Sequence, residues 1–275
     1  MSDDLTLILG PQSTGALHLN TFVRQAGGVL SKQGVRALPT RVSAPLIRRC
    51  IDTERPYRER KADFDREVSP RPAVLSALNL FGPPEAALAR GAFFPNAEPV
   101  LGPVGKIIGH AQVVLVVDTL PRLFLAPGSE RLEARVRGTG WETLYELGWA
   151  DLARAITDKM KAASLLVLTP RGMALRSGEV LERLFCPGIT SVCDPHWLFR
   201  QAISETGHAV LDRLLEQGTP DEATLKEVYA SFVTQPSLAE IEERLGIEKI
   251  TATLLEQRFQ EDLNAIAALP RTEVI

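Results

Sequence analysis

The sequence predicts an α/β fold: a three-layer domain around a parallel sheet, opened by a strand-loop-helix of the phosphate-binding type and followed by a helical C-terminal extension. Three observations predict it. Apolar runs near 5–9, 73–76, 112–117 and 164–168 each lead into a turn and a helical pattern, the alternation that builds parallel strands with helices on both faces. The third run, Val113-Val114-Leu115-Val116-Val117, is continuously apolar, so it is buried on both faces and central. From Leu198 onward only helical periodicity remains, which sets the units at 1–197 and 198–275, the second packed on the first.

Composition narrows the class further. The chain has 275 residues, 45% apolar and 24% charged, enough for a sizeable core and too apolar for a disordered chain. A net charge of -3 with scattered arginines offers no basic footprint, so no nucleic-acid partner is expected. Cys50, Cys186 and Cys193 lack metal-ligand spacing, and the four histidines do not cluster with them; no metal is expected and the thiols are read as reduced. Met1-Ser2-Asp3-Asp4 enters a strand directly, and no stretch reaches the ~18 apolar residues of a membrane span. A cytoplasmic protein without membrane contact is expected.

Taken in order, the first strand breaks at Gly10-Pro11-Gln12-Ser13-Thr14-Gly15 and resumes as a helix carrying Leu17, Leu19, Phe22, Val23 and Ala26, interrupted near Gly27-Gly28. Residues 35–72 are rich in arginine and proline; a helix over 44–51 followed by a mobile, solvated basic segment is expected there, with an anion-binding lid as the alternative. Helical pieces are expected around 85–90, 101–108, 141–156 and 179–185. Amphipathic helices then cover 198–217, 221–233 and 250–269, the last presenting Leu254, Leu255, Phe259, Leu263 and Ile266 to the main domain.

The chemistry concentrates at the C-terminal ends of the strands, the ligand edge of an open α/β sheet. A loop of this kind aims backbone N–H groups and a helix dipole at one point, and Ser13 and Thr14 add hydroxyls. Gly10 and Gly15 form a G-x-x-x-x-G skeleton, but Ala16 and Leu17 stand where a nucleotide triphosphatase carries Lys and Ser/Thr. ATP or GTP hydrolysis is therefore not expected, and a tight turn without ligand is the competing interpretation. Asp118 suits a ribose hydroxyl, a cation or a helix cap, and Arg122, four residues on, shares its face if a helix starts there. His18 is a candidate base, with a hydrogen-bonded structural histidine as the alternative.

In these segments the chain resembles the sulfotransferase family, in particular bacterial sulfotransferase-like proteins of this length. The likeness runs through Leu7-Ile8-Leu9-Gly10-Pro11-Gln12-Ser13-Thr14-Gly15, Val74-Leu75-Ser76 with Asn79-Leu80-Phe81-Gly82, the stretch 113–121, Leu147-Gly148-Trp149-Ala150-Asp151-Leu152, and the closing helix with Glu261-Asp262-Leu263. The resemblance implies that Gly10, Pro11, Gln12, Ser13, Thr14, Gly15 and Ala16 cradle the 5′-phosphosulfate of 3′-phosphoadenosine-5′-phosphosulfate. The loop after the central strand, with Asp118 and Arg122, would then meet its 3′-phosphate.

Departures fall where the family places charge. Gln12 occupies the place of a lysine that stabilises the bridging oxygen, Asp118 that of an arginine, Ala126 or a neighbour that of a serine and Ala77 that of an acidic residue; Thr169-Pro170-Arg171-Gly172 follows the fourth strand, where a glutamate is common. Arginines from elsewhere, such as Arg122, Arg131 or Arg135, are candidate replacements. The resemblance thus implies a diverged or catalytically impaired relative that keeps an anion or nucleotide cradle. The alternative is an active transferase of sulfuryl, or another group, to a hydroxyl acceptor. The catalytic residues are left unassigned, with Gln12 and His18 as candidates, and the expected partner is a small molecule, a glycan acceptor or a protein.

Overall fold

A computed structural model describes residues 5–11, 13–78, 80–82, 88–89, 92–125 and 145–275. Its main sheet contains β1 (Leu5–Leu9), β2 (Arg36–Leu38), β3 (Ala73–Ser76), β6 (Gln112–Val116), β7 (Ser164–Leu168) and β8 (Thr272–Val274); β4 (Leu88–Ala89) and β5 (Ala92–Phe93) form a separate antiparallel pair. The order β2-β3-β1-β6-β7-β8 is parallel throughout. Five-residue β1 is buried at every position, as two helical layers require. The chain is a three-layer parallel α/β protein.

Fourteen described helices surround the sheet: α1 (Thr14–Gln25), α2 (Gly27–Lys32), α3 (Thr40–Ile51), α4 (Tyr57–Val68), α5 (Ala97–Ile108), α6 (Leu120–Phe124), α7 (Trp149–Met160), α8 (Pro170–Leu175), α9 (Ser177–Leu184), α10 (Trp197–Ala202), α11 (Glu205–Gln217), α12 (Glu222–Phe232), α13 (Leu238–Leu245) and α14 (Lys249–Ala267). Alternate strand residues sort them into layers. Leu7, Leu75, Val113 and Leu165 face α3, α4, α5, α7 and α14 through Ile47, Phe64, Leu101, Ile156 and Ile266. On the other face Ile8, Val74, Val114 and Leu166 meet α1 and α8–α10 through Leu19, Phe22, Met173, Leu181 and Leu198. A third cluster, with Phe199, Leu211, Leu225 and Tyr229, joins α10, α11 and α12. Each such side chain removed from water contributes about 1.5–3 kcal/mol before entropy is charged against it.

The differences from the sequence expectations have local causes. Both edge strands escape the apolar-run criterion: Arg36-Ala37-Leu38 and Thr272-Glu273-Val274 are three residues long and carry charge, the common protection of a sheet edge. Strands therefore do not end before residue 198, and the C-terminal segment returns to the sheet. Residues 57–68 form α4 rather than a mobile segment, held by Arg55–Asp63 (2.7 Å), Arg66–Asp63 (2.7 Å) and Lys61–Asp65 (2.5 Å) pairs and by Arg60 donating to the Cys50 carbonyl (2.6 Å). Leu88 pairs with Phe93 in a hairpin where a helical piece is expected around 85–90; residues 85–87 and 90 lie outside the described residues. The 198–217 helix breaks at Ile203-Ser204, where Ser204 caps α11. In α14, Leu255 and Ile266 are buried and Phe259 and Leu263 pack on the core, but Leu254 is exposed. No described helix is long and apolar enough to cross a membrane.

Candidate anion site at the strand ends

The helices following β1 and β6 lie on opposite faces of the sheet, which makes the C-terminal ends of these strands the switch point at which open α/β sheets place their ligand crevice. Gly10 has φ +150°, and a β-carbon there would lie 2.9 Å from the Val116 carbonyl oxygen. The first loop thus presses against β6 in a way only glycine permits. Pro11 is buried beside it; Gln12 lies outside the described residues. Ser13 is the N-cap of the 12-residue α1, with extended backbone, no side-chain capping bond and no acidic residue in the following turn. Its carbonyl accepts the Leu17 N–H (2.9 Å), while its hydroxyl is fully buried and unbonded. Thr14 opens the helix, and Gly15 and Ala16 are buried, Gly15 against Met173 and Pro170.

Across the crevice, Asp118 is 3% exposed. Its Oδ1 accepts the Thr119 N–H (2.8 Å), and its carbonyl accepts the Trp149 indole N–H (2.8 Å). The helix cap is Thr119, not Asp118. Arg122 does share a face with Asp118 as the spacing predicts, at 3.9 Å, and lies 3.7 Å from Glu256 on α14. Burial pushes the Asp118 carboxyl up to about 7, against the opposing pull of Arg122 and the Thr119 N–H. One guanidinium is shared by two carboxylates at distances longer than hydrogen bonds.

The remaining candidates are held in packing. His18 borders a cavity of about 10 Å³ with Gly15, Pro170, Met173 and Leu198, and burial lowers it to about 4, so the imidazole is neutral at pH 7. His196 donates its backbone N–H to Asp194 and His208 contacts the Arg200 carbonyl. Ser76 is engaged by Thr40, which also bonds Asn20, and Ala77 continues the ladder to the Ile8 carbonyl (2.8 Å). Asn79, Ala126, Arg131 and Arg135 lie outside the described residues. Burial raises the Cys50 thiol to about 11. Among the described residues no group of acidic, histidine and cysteine side chains is arranged to hold a metal.

Residues that sequence reasoning missed complete the edge. Among the described residues, the buried side-chain polar atoms without a hydrogen-bond partner are Ser13 Oγ, Arg60 Nε, Thr119 Oγ1, Arg122 Nε, Tyr229 Oη and Asp262 Oδ1. Ser13 and Thr119 are the N-caps of α1 and α6, and Arg122 lies in α6. Tyr229, on α12, carries a phenol raised to about 12 by burial, and the charges acting on it are those of Arg122, Asp118 and Arg171. All four atoms can donate a hydrogen bond, and Arg122 Nε can only donate. Buried polar groups are rarely left unpaired, and these four lack a partner within the chain. Searches of protein-family models, characterised proteins and solved structures find no match to this chain.

Proposed function

We propose that this protein binds an oxyanion, as a phosphate or sulfate ester of a nucleotide, at the crevice between the first loop and the end of β6. In this reading it is a sulfotransferase-like protein with diverged chemistry, and 3′-phosphoadenosine-5′-phosphosulfate or its desulfated product is the ligand class. The observation that supports it is the set of buried, unpartnered donors: Ser13 at the N-terminus of α1, Thr119 and Arg122 after β6, and Tyr229 on α12. The α1 dipole and its free first-turn N–H groups add to them. Gly10, Pro11 and residues 13–16 form the cradle, and Arg122 supplies positive charge in place of the absent lysine and arginine. Asp118 weakens the site while ionised, because it already occupies Arg122. A cytoplasmic setting and a small-molecule, glycan or protein partner belong to the same reading.

The second reading, an active transferase, is favoured by Asp118 itself, since a carboxyl poised near 7 is suited to accept a proton at neutral pH. It would take the proton of an acceptor hydroxyl as that oxygen attacks sulfur and the nucleotide's bridging oxygen leaves with the bonding pair. Thermal denaturation with sulfate, 3′-phosphoadenosine 5′-phosphate and adenosine phosphates tests the binding. A ligand at 100 times its Kd stabilises by about 2.7 kcal/mol, several degrees for a chain of this size at roughly 2–4 °C per kcal/mol. No shift with any phosphate or sulfate ester contradicts the proposal. Sulfuryl transfer from the full donor to a panel of hydroxyl acceptors, abolished in Asp118→Asn, would decide for the transferase.

A further inference from the structure

Resting on the oxyanion reading above, we infer that Tyr229 of the C-terminal helical segment is a direct ligand contact, its hydroxyl and Arg122 Nε donating to the same oxyanion. Tyr229 sits on α12, far in sequence from both loops, and no motif at the strand ends points to it. Its ring is fixed by the cluster that joins α10, α11 and α12, with the Phe199 ring 6.3 Å away. The residue is 7% exposed, and its hydroxyl has no partner.

A phenol buried only for packing has no need of its oxygen, and phenylalanine would fill the same space without leaving a polar atom unpaired. The charges of Arg122, Asp118 and Arg171 act on the phenol, and α12 packs against α8, the helix that carries Arg171. Arg122 Nε is equally unpartnered and has no lone pair to accept with. Tyr229 and Arg122 thus offer two buried donors without partners, and in this inference a phosphate or sulfate satisfies both. The C-terminal segment is then part of the binding site as well as a covering for the domain, which makes Tyr229 a determinant of ligand affinity.

The test is Tyr229→Phe in the full chain, with 3′-phosphoadenosine 5′-phosphate and inorganic sulfate as probes in calorimetry and thermal denaturation. The expected result is about tenfold weaker binding, the loss of one charge-assisted hydrogen bond, with an unchanged or higher melting temperature for the free protein. Unaltered affinity would overturn the inference while leaving the oxyanion site standing. A lower melting temperature without ligand would also overturn it, by showing the hydroxyl to be a structural group. A parent that binds neither probe removes the oxyanion reading and this inference with it.

Discussion

Asp118 is the residue on which the chemistry of the crevice turns, because its buried carboxyl holds the nearest guanidinium. Its folded-state value of about 7 lies above the ordinary 3.8. The associated stability is therefore complete below about 3.8 and is lost as pH rises toward 7. The melting temperature of Asp118→Asn minus that of the parent should be small near pH 4, grow up to pH 7 and level off above it; a pH-independent difference contradicts the burial argument. His18 acts in the opposite sense, since a value lowered to about 4 gives stability that is complete above 6.5 and lost as pH falls, and taking the difference between the two proteins removes its effect. Burial also alters the remedy that the resemblance suggests. Gln12→Lys with Asp118→Arg would place a second guanidinium in a site with 3% exposure beside Arg122, whereas Asp118→Asn removes the charge and frees Arg122 for the ligand. At Gly10, the alanine variant meets both an unfavourable φ and a carbonyl at 2.9 Å. About 1–3 kcal/mol should be lost in denaturant unfolding, together with any stabilisation by sulfate.

At the scale of elements, close helix contacts and the last strand hold the frame that presents these residues. A β-carbon on Gly105 of α5 would lie 2.6 Å from the Met160 Cα of α7, backbone that cannot move aside cheaply. Gly105→Ala should cost about 1–3 kcal/mol by urea denaturation, and an unchanged midpoint would show that the two helices slide freely. The Ile275 carbonyl accepts both the Thr169 N–H (2.7 Å) and its hydroxyl (3.1 Å), tying the chain end to the start of α8. Deleting residues 271–275 should therefore lower the melting temperature by several degrees, and an unchanged value would contradict the assignment of β8. The central strands were legible because burial on both faces writes itself as an unbroken apolar run. The two edge strands were not, since one-sided pairing leaves room for Arg36 and Glu273 and so erases that run. Likewise the salt-bridged α4 hides in a charge-rich stretch, because its ion pairs form only once the helix exists.

For the whole molecule, topology brings the β1 and β6 loops to a single edge and packs α12 on α8, the helix that follows β7, and that convergence is the least legible feature of the sequence. Ser13, Asp118 and Arg122 could be picked out, each at the end of an apolar run. Tyr229 and Glu256 could not, since both lie on amphipathic helices whose pattern says only which side is buried. At the opposite end of the sheet a groove of about 380 Å³ is lined by His110, Asp158, Lys161 and Arg271, and its two cations, offset by one carboxylate, make it a competitor for an anion. These alternatives separate in one measurement, the amide ¹H–¹⁵N spectrum of the full chain titrated with 3′-phosphoadenosine 5′-phosphate. Saturable shifts at Gly10, Ser13, Gly15, Thr119 and Arg122, with His110, Lys161 and Arg271 unmoved, are the result expected of an oxyanion site at the strand ends. Shifts confined to His110, Lys161 and Arg271, or none at millimolar nucleotide, would contradict it.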